Sequence, residues 1–535
     1  MQMLLQNDGH DPVDVDSKPE QLFREDAADN DQYAPEYLSW SLFTTIKQFW
    51  RAMLYCFIVS LGAMYDGFAV SVPGSIIAHP AFIKQFGSVI SAAGVLELDA
   101  LHVSAWSACQ NGGQIFGMLS GPSFSDWFGR KAAMWGLAIL LIIGTVLEIV
   151  AKDWRVYAVG KFLIGMGTGM VQSGLTVYIA EVAPVRSRGA VLSFYSLAFA
   201  LGQLASAVGL QIIATKSQYR NIFYSEFIFL ALFIPALVFA PESPSWCIRK
   251  GQTDRAKKSI RLLYGNVPSL DVEKEYNMLK LTVDEESKGK SDKVWREYLE
   301  CFQGSDLRRT WVSFLPLAYQ QFVGIALFFG YTSYFFQLAG YPRPFEASLI
   351  QSCILLLFLL ISFFVIDKIG RRPLVLVGGA IMCICSYSVG GIGFMATLPG
   401  TALVSLTCVW TAAYALSVGC VGWAYVAETS SPRLRAKTTG MAAAGTAAFG
   451  LIFQYCVPLM LSPQKANWGL KIGLFFGSVS IFGWIVVYFF VPETKGRTYP
   501  ELDELFEKKI PSRQFASYVT EVQSAASARA TNRTE

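Results

Sequence analysis

The most informative residue for chemistry is an acid that stands inside a long apolar stretch. Asp66 lies in the run Gly-Ala-Met-Tyr-Asp-Gly, within a predicted membrane-spanning helix. A carboxylate there costs at least about 2.5–3.5 kcal/mol unless it is paired, protonated or exposed to water. We predict that Lys161, near the start of a later apolar stretch, is its cationic partner. Because protonation would remove their attraction, the pair predicts a proton-sensitive control over which side of the molecule is open. A permanent structural ion pair is the alternative.

A second set of side chains suits a polyhydroxylated ligand. Gln320 and Gln321 are adjacent amides in an apolar helix, and each can both donate and accept hydrogen bonds. Tyr331 follows on the same helix, while Gln203 and Trp423 stand in other apolar stretches and could complete the site. The indole of Trp423 would offer a flat apolar face to a sugar ring. The alternative is that the buried Gln side chains only hydrogen-bond neighbouring helices.

Charged motifs recur in the two halves of the chain at offsets of 241 to 251 residues. In the turn Asp-x-x-Gly-Arg-Lys/Arg, the Gly permits a tight reversal and the Arg can pair with a carboxylate in a neighbouring bundle. We predict a network of interhelical ion pairs that holds the cytosolic face shut and breaks when that face opens. Simple topology anchors are the alternative. The predicted gate residues are Asp126, Arg130, Glu181, Arg188, Glu242, Asp367, Arg371, Glu428, Arg435 and Glu493.

The composition places these residues in a membrane. Of 535 residues, 53% are hydrophobic and 16% are charged, whereas soluble domains carry about 25% charged residues. The apolar runs reach the roughly 20 residues that a span requires. We predict an all-α membrane protein whose twelve transmembrane helices form two six-helix bundles. The predicted spans are 52–75, 102–123, 132–150, 155–178, 190–213, 222–240, 311–338, 347–366, 373–395, 402–427, 438–461 and 470–491.

The bundles are joined and flanked by polar segments. Lys and Arg concentrate in alternate loops and in the segment between the bundles, so the positive-inside rule predicts that both termini are cytosolic. We expect a multi-pass protein of the plasma membrane. The predicted parts are a disordered cytosolic tail (1–51), the first bundle (52–240), a cytosolic helical linker (241–310), the second bundle (311–491) and a cytosolic tail (492–535).

Other classes of protein are disfavoured. Three scattered His residues cannot supply a metal cluster, the ten Cys residues form no CxxC pair, and no Walker sequence indicates an ATP-driven pump. No nucleophile and base converge by spacing, so we do not expect an enzyme. We predict no metal, cofactor or nucleic-acid partner. The expected partners are a small solute, protons and the lipid bilayer, with the monomer as the functional unit. Glu148 and Glu226 also lie within or beside predicted spans, but their positions suggest no role.

Taken together, the motifs resemble the sugar porter family of the major facilitator superfamily. The resemblance is closest to the fungal branch that includes α-glucoside:proton symporters. It implies that Asp66 is the proton-coupling acid, that Lys161 replaces a usual Arg, and that Gln320, Gln321 and Trp423 contact sugar. It covers roughly residues 52–507 and rests on segments 126–131, 160–163, 181–189, 241–244, 320–321, 367–372, 418–428, 433–437 and 492–497.

The chain also departs from the pattern of that family. Ala326 replaces an Asn, Gly330 replaces an aromatic, and Ser196 and Thr446 stand at polar positions that often bind sugar. These changes imply a roomier and less polar cavity. The first hypothesis is proton-coupled import of a sugar, such as an α-glucoside or another disaccharide, by alternating access. The second is a transporter of the same fold for a polyol, a quinate-like acid or an exported secondary metabolite. A non-transporting sugar receptor is a remote third, since only residues 493–535 follow the last span.

Overall fold

The structure is a computed structural model. It describes residues 40, 42–90, 94–184, 187–214, 216, 218–267, 270–288, 299–395, 400–430, 434–497, 499–521 and 523–524. The predicted disordered segment 1–39 lies outside the described residues. Two predicted gate residues, Asp367 and Arg435, belong to described helices, but their side chains lie outside the description.

Helices account for most of the described chain, and one small antiparallel strand pair joins Val89–Ile90 (β1) to Leu96–Glu97 (β2). In the first half the helices are α1 (Leu42–Gln48), α2 (Trp50–Ser60), α3 (Gly62–Ile76), α4 (Pro80–Phe86), α5 (Ala100–Phe128), α6 (Arg130–Val150), α7 (Trp154–Met170), α8 (Thr176–Val182), α9 (Arg188–Ile213) and α10 (Asn221–Phe239). The linker contains α11 (Pro244–Arg249), α12 (Thr253–Tyr264) and α13 (Val272–Lys288).

The second half repeats this order. Its helices are α14 (Gly304–Phe322), α15 (Thr332–Leu338), α16 (Pro344–Ile369), α17 (Arg371–Ile392), α18 (Gly400–Leu416), α19 (Val418–Thr429), α20 (Arg435–Leu461), α21 (Ile472–Phe490) and α22 (Tyr499–Glu507). A π-helical turn, Val171–Leu175, joins α7 to α8, and a second, Ala326–Gly330, precedes α15. The short 3₁₀ turns Gly469–Lys471 and Ser512–Gln514 lie near the end of the chain.

The described helices make up the predicted twelve spans. Ten helical segments of the described chain are long and apolar enough to cross a bilayer. The other two spans are α5, which has 29 residues, and the segment 304–338 formed by α14, the second π turn and α15. Their polar side chains, including Gln110 and Gln320, lower their hydropathy. Both spans also contribute side chains to the contact between the halves. We number the spans 1 to 12 in chain order.

The start of the chain differs from the prediction. Residues 42–51 were expected to be part of a disordered tail, but they form α1 and the beginning of α2. Phe49 is buried, and its ring lies 5.2 Å from that of Tyr264 in the linker, edge to face. The apolar side chains of this stretch therefore pack against the linker, which a prediction from local polarity does not take into account.

Glycines let several helices cross at very short distance. A Cβ added to Gly165 or Gly169 of span 4 would lie 2.0–2.1 Å from a backbone oxygen of span 2. A Cβ on Gly67 of span 1 would lie 2.0 Å from the carbonyl oxygen of Phe199 in span 5. No side chain fits at these three positions, so the helices cross closely. The crossing at Gly67 brings the adjacent Asp66 against span 5.

The C-terminal helix packs on the second half. Phe506 and Leu505 of α22 are buried together with Val312 of span 7. The guanidinium carbons of Arg308 and Arg309 lie 5.6 and 5.0 Å from the ring centre of Phe506. Arg309 also pairs with Asp503 at 2.5 Å. The segment after span 12 is therefore attached to the bundle by an apolar contact as well as by charge.

Replacement of Phe506 by Ala should detach this helix. Deletion of a buried Phe side chain costs about 3–5 kcal/mol, so we expect a lower Tm for the detergent-solubilised protein and faster proteolytic cleavage near residue 510. Val519→Ala is the matched control, because Val519 is 70% exposed in the same segment. Equal Tm and cleavage rates in both variants would show that the helix contributes nothing to stability.

Candidate proton and substrate sites

Asp66 is fully buried in span 1. Its Oδ2 accepts a hydrogen bond of 2.9 Å from the Gln172 amide and one of 3.5 Å from the Tyr195 hydroxyl. Its Oδ1 is buried without a hydrogen-bond partner, and Asp66 forms no ion pair within the described part of the chain. A carboxylate in such surroundings is costly unless it takes up a proton. The site is therefore suited to binding a proton.

The predicted pairing of Asp66 with Lys161 is wrong. The Lys161 ammonium lies 2.6 Å from Oε1 of Glu148, and both side chains are at most 1% exposed. Spans 3 and 4 form an antiparallel hairpin, and Glu148 and Gly160 stand six residues on either side of Trp154. Gly160 lacks a side chain and lies directly against Glu148. The hairpin therefore gives Lys161 a closer carboxylate than Asp66.

A third acid, Glu226 of span 6, belongs to the same buried region. Its Oε2 accepts hydrogen bonds from Thr145 at 2.7 Å and from Tyr65 at 3.0 Å. The sequence pattern suggested no role for Glu226 or Glu148. The signal that could have found them was available, because both are acids inside apolar spans of the half that also contains Lys161.

The partner of Asp66 on span 4 depends on a π-helical turn. Gln172 lies in the turn Val171–Leu175, which interrupts the helical ladder and changes the direction in which the side chain points. Single π turns inside α-helices often occur at functional sites. A sequence pattern assumes the regular α-helical period, which does not point Gln172 towards Asp66. The sequence analysis therefore did not identify Gln172 as a partner of Asp66.

A polar cavity lies between the two halves. Its walls come from spans 1, 5, 7 and 8, and include the apolar side chains of Phe329 and Phe345. Gln203 is the predicted substrate residue that lines it. The other polar lining residues are Ser71, Ser75, Thr332, Ser348, Gln351 and Ser352. Its hydroxyl and amide groups and its two aromatic rings are the kinds of group that bind a small solute with both polar and apolar surfaces. In this form the cavity volume is only about 20 Å³, room for roughly one or two water molecules, so a larger solute requires the helices around it to move apart.

Three predicted substrate residues of the second half, Gln320, Gln321 and Trp423, do not line this cavity. The Gln320 amide donates a 2.8 Å hydrogen bond to the carbonyl of Val418 in span 10, so its nitrogen holds two helices together. Gln320 lies against Gly422, the chain neighbour of Trp423. Trp423 is 51% exposed, and Gln321 is partly exposed and adjoins Gly450 of span 11. The side chains of Gln321 and Trp423 are therefore at least partly exposed, whereas the Gln320 amide nitrogen hydrogen-bonds within the second bundle.

Tyr331 takes part in the closed contact between the halves. It is 1% exposed, and its hydroxyl hydrogen-bonds Ser107 of span 2 and the carbonyl of Gln454 in span 11. Nearby, Gly74 of span 1 touches Gly330, and a Cβ on Gly74 would lie only 1.4 Å from the Gly330 carbonyl oxygen. These contacts lie at the ends of the spans remote from the linker, which we call the opposite face. The halves are closed together at this face.

The other ends of the spans adjoin the linker and form the linker face, where the first set of predicted gate residues meets. Arg130 donates to both oxygens of Glu181 at 2.8 and 2.7 Å, and to Asp126 at 2.9 Å. Glu242 accepts from the backbone N–H of Arg130 at 2.9 Å, at the start of α6. Arg249 of the linker also binds Glu181. Four of the predicted residues therefore form one cluster that includes the linker.

The second half repeats the arrangement. Arg371 donates to Glu428 at 3.2 Å, and Glu493 accepts from the backbone N–H of Arg371 at 3.1 Å. The preceding glycines, Gly129 and Gly370, have φ values of 104° and 106°. An added Cβ would lie 2.5 and 2.7 Å from the capping glutamates. Gly is needed at both turns for its backbone conformation and for the space beside the carboxylate.

One part of the gate prediction is wrong. Arg130 and Arg371 were expected to pair with a carboxylate in the neighbouring bundle, but each binds a glutamate of its own half. In this structure these pairs do not join the two halves across the linker face, because each spans only helices of one bundle. Arg188 is exposed at the start of α9 rather than part of the cluster around Arg130. The clusters instead fix the loop turns and, through Arg249, the linker.

Arg130 and Arg371 should differ in their contribution to stability. The side chain of Arg130 is 4% exposed and that of Arg371 is 15% exposed. Since removal of one partner leaves the other charge uncompensated, we expect Arg130→Leu to cost about 3 kcal/mol and Arg371→Leu about 1–2 kcal/mol. The measurement is thermal unfolding in detergent. A larger loss for Arg371→Leu would contradict the greater stabilisation expected from the more deeply buried cluster around Arg130.

No group of three or more His, Cys, Asp or Glu side chains within the described residues could hold a metal ion.

Comparisons with known proteins agree with this geometry. Residues 55–506 match the family described as Sugar (and other) transporter. The general alpha-glucoside permease of Saccharomyces cerevisiae is 28% identical in an alignment of 535 positions, which covers 95% of this chain and 84% of that protein. The maltose permease MAL31 of the same yeast is 30% identical over 507 residues, covering 91% and 81%.

Solved structures share the fold. The xylose transporter XylE from E. coli, in a partially occluded inward-open conformation, aligns with a TM-score of 0.67 at 23% identity, covering 84% of this chain and 100% of that one. A proton:xylose symporter structure of XylE with a bound bromodeoxyglucose gives a TM-score of 0.66 at 23% identity, covering 86% and 100%. The predicted twelve-helix fold is thus confirmed. The chain belongs to the Sugar (and other) transporter family, the sugar porters of the major facilitator superfamily.

Proposed function

We propose that this protein imports an α-glucoside or a related sugar together with a proton, by alternating access. The observation that carries the proposal is that the buried acid and the cavity share the same two helices. Asp66, Ser71 and Ser75 lie on span 1, while Tyr195 and Gln203 lie on span 5. A change in the charge of Asp66 can therefore alter the packing of the helices that line the cavity.

The names of the relatives support the substrate class. The two yeast proteins are described as permeases of alpha-glucosides and of maltose. Their similarity extends along nearly the whole chain and includes the spans that line the cavity. We infer a disaccharide rather than a monosaccharide, because one of these relatives is described as a maltose permease. Ala326 and Gly330 do not add room to the cavity in this structure, since Ala326 is fully buried and Gly330 packs against Gly74 and Gln454.

The transport cycle follows from the two faces. We place the linker and both termini in the cytosol and the protein in the plasma membrane, where it acts as a monomer in the lipid bilayer. The opposite face is then extracellular, and the structure is an inward-facing form because its halves meet at that face. In the outward-facing form, sugar and proton enter from outside. The bundles then rock about the site until the contact at Gly74 and Tyr331 closes behind them.

The predicted residues take distinct roles in this cycle. Gln203 contacts the sugar in the cavity of this form, whereas Gln321 and Trp423, which lie outside that cavity, contact it in another form of the cycle. Gln320 positions spans 7 and 10, and Tyr331 closes the extracellular side. Asp66 binds the coupled proton, whereas Lys161 acts through Glu148. The clusters around Arg130 and Arg371 keep each half rigid while it moves.

One observation favours a second candidate, a non-sugar solute that has both polar and apolar surfaces. Phe329 and Phe345 face the serines and amides of the cavity, so a polyol or a quinate-like acid is the alternative substrate. Thermal unfolding of the purified protein with maltose, glucose, sorbitol or quinate distinguishes them, since a ligand stabilises the folded state by mass action. We expect maltose to raise the Tm most. A rise with quinate or sorbitol alone would replace the sugar proposal by the alternative.

A further inference from the structure

The first half contains a charged cluster that transport through Asp66 does not use. Glu148, Lys161 and Glu226 belong to spans 3, 4 and 6, and all three are at most 1% exposed. Lys161 contacts Glu148, and its ammonium lies 5.9 Å from the ring centre of Phe223, which stands one helical turn before Glu226 on span 6. If both acids were ionised, the cluster would keep one uncompensated negative charge inside the membrane domain. Such a charge is very costly unless a proton neutralises it.

The hydrogen bonds leave a place for that proton. Oε2 of Glu226 accepts from Thr145 and Tyr65. Oε1 of Glu226 and Oε2 of Glu148 are buried and have no hydrogen-bond partner within the described part of the chain. The two glutamates are linked through span 3, because Thr145, which binds Glu226, stands one helical turn before Glu148. Two carboxylates that share one environment and one cation tend to retain a single proton.

The groups that surround the cluster do not provide a second cation. Above Lys161 lie the rings of Tyr157 at 5.1 Å and Phe223 at 5.9 Å. Tyr219 packs edge to face against Phe223 and donates its hydroxyl to Gln85. The nearby Arg220 donates to Gln85 and to the Ala151 carbonyl. On the side of span 1, the cluster contacts Tyr65. The next residue in the chain is Asp66, which is an acid and does not provide a cation.

We propose that Glu148 and Glu226 bind one proton between them, beside Lys161, at a site separate from Asp66. With this proton the cluster has one positive and one negative charge and is neutral overall. Span 1 connects the two sites, because the Tyr65 hydroxyl reaches Glu226 while the adjacent Asp66 faces Gln172. Participation of this second proton in transport rests on the proposed function, but its presence does not.

Infrared difference spectroscopy of the purified full-length protein tests the proposal without any sugar. A protonated carboxyl group has a carbonyl stretch that is separate from the bands of a carboxylate. At neutral pH we expect Glu226→Gln to lose one protonated carboxyl relative to wild type. Glu148→Gln should lose one as well, because Glu226 then ionises to balance Lys161. Lys161→Met should gain one, because both glutamates then need a proton.

These changes have opposite signs, so a general loss of structure cannot imitate them. In Glu226→Gln the amide oxygen can still accept from Thr145 and Tyr65, which should keep that variant folded. Glu273→Gln is the control, since Glu273 is 61% exposed in the linker and should give no signal. Spectra in which Glu148→Gln and Glu226→Gln lose no protonated carboxyl would overturn the proposal. Absence of sugar transport alongside the expected spectra would reject the proposed function and leave the proton site standing.

Discussion

Asp66→Asn is expected to abolish accumulation of the solute against a gradient while leaving exchange across the membrane. Asn can keep the hydrogen bonds from Gln172 and Tyr195 through its carbonyl oxygen, but it cannot gain or lose a proton. Without coupling, the ratio of internal to external solute falls to about one, since a carrier driven only by the solute equalises both sides. Proteoliposomes with labelled maltose, measured with and without an imposed pH gradient, give both quantities.

The control for this variant is Asp254→Asn, an exposed acid of the linker, which should accumulate maltose as wild type does. A mutant at Asp66 that still concentrates maltose would show that the coupling proton binds elsewhere. In that case the cluster of Glu148 and Glu226 becomes the first site to test. Loss of exchange as well, with an unchanged Tm, would assign Asp66 to solute binding rather than to coupling.

The second large effect is expected at the closed contact between the halves. A methyl group on Gly74 would lie 1.4 Å from the carbonyl oxygen of Gly330. Backbone atoms cannot move aside as a flexible side chain can, so Gly74→Ala should hold the opposite face open. A penalty of only about 1.4 kcal/mol lowers the ratio of the closed to the open form about tenfold. We expect a corresponding fall in the maltose exchange rate.

Hydrogen exchange followed by mass spectrometry reports the structural part of this prediction. Peptides from α15 and from the beginning of α16 should exchange faster in Gly74→Ala, because they become exposed to water. Gly112→Ala is the matched control, since nothing lies within 4 Å of the added Cβ. Equal hydrogen exchange and equal transport in both variants would mean that the halves do not need this contact to close.

The repeated motifs predicted more of the molecule than any single residue did. Residues 126–131 and 367–372 each contain a glycine at positive φ, followed by an arginine whose backbone N–H binds a glutamate. The turn at each glycine depends on neighbours in the chain, so a sequence pattern can specify it. The glutamates come from a second repeated motif, 112 and 122 residues further along the chain. The number of spans and the two-bundle fold followed from the apolar runs in the same way.

The partners of buried charges were harder to predict. Lys161 had three candidate acids in spans 1, 3 and 6, and a sequence contains no distances between helices. The choice of Glu148 depends on the length of the turn near Trp154 and on the absence of a side chain at Gly160. The hydrogen bond from Gln172 to Asp66 depends on a π turn, and the contacts of Tyr331 depend on how the two halves meet. These are properties of packing between distant segments rather than of local sequence.

The resemblance to sugar porters marked an amide that also holds two helices together. Gln320 belongs to the adjacent pair that the resemblance marks as sugar contacts, yet in this structure its amide nitrogen binds the Val418 carbonyl. Gln203, chosen only as an additional candidate, lines the cavity between the halves. A buried amide can satisfy a helix backbone as well as a ligand, and only the surrounding helices determine which of the two occurs.

The most direct test of proton-coupled sugar import is maltose accumulation by the purified protein in proteoliposomes, driven by an imposed pH gradient that is acidic outside. We expect wild type to concentrate labelled maltose, a protonophore to abolish this accumulation, and acidification inside to accompany uptake. Equal maltose on both sides, with the protein folded and correctly inserted, would contradict proton-coupled sugar import.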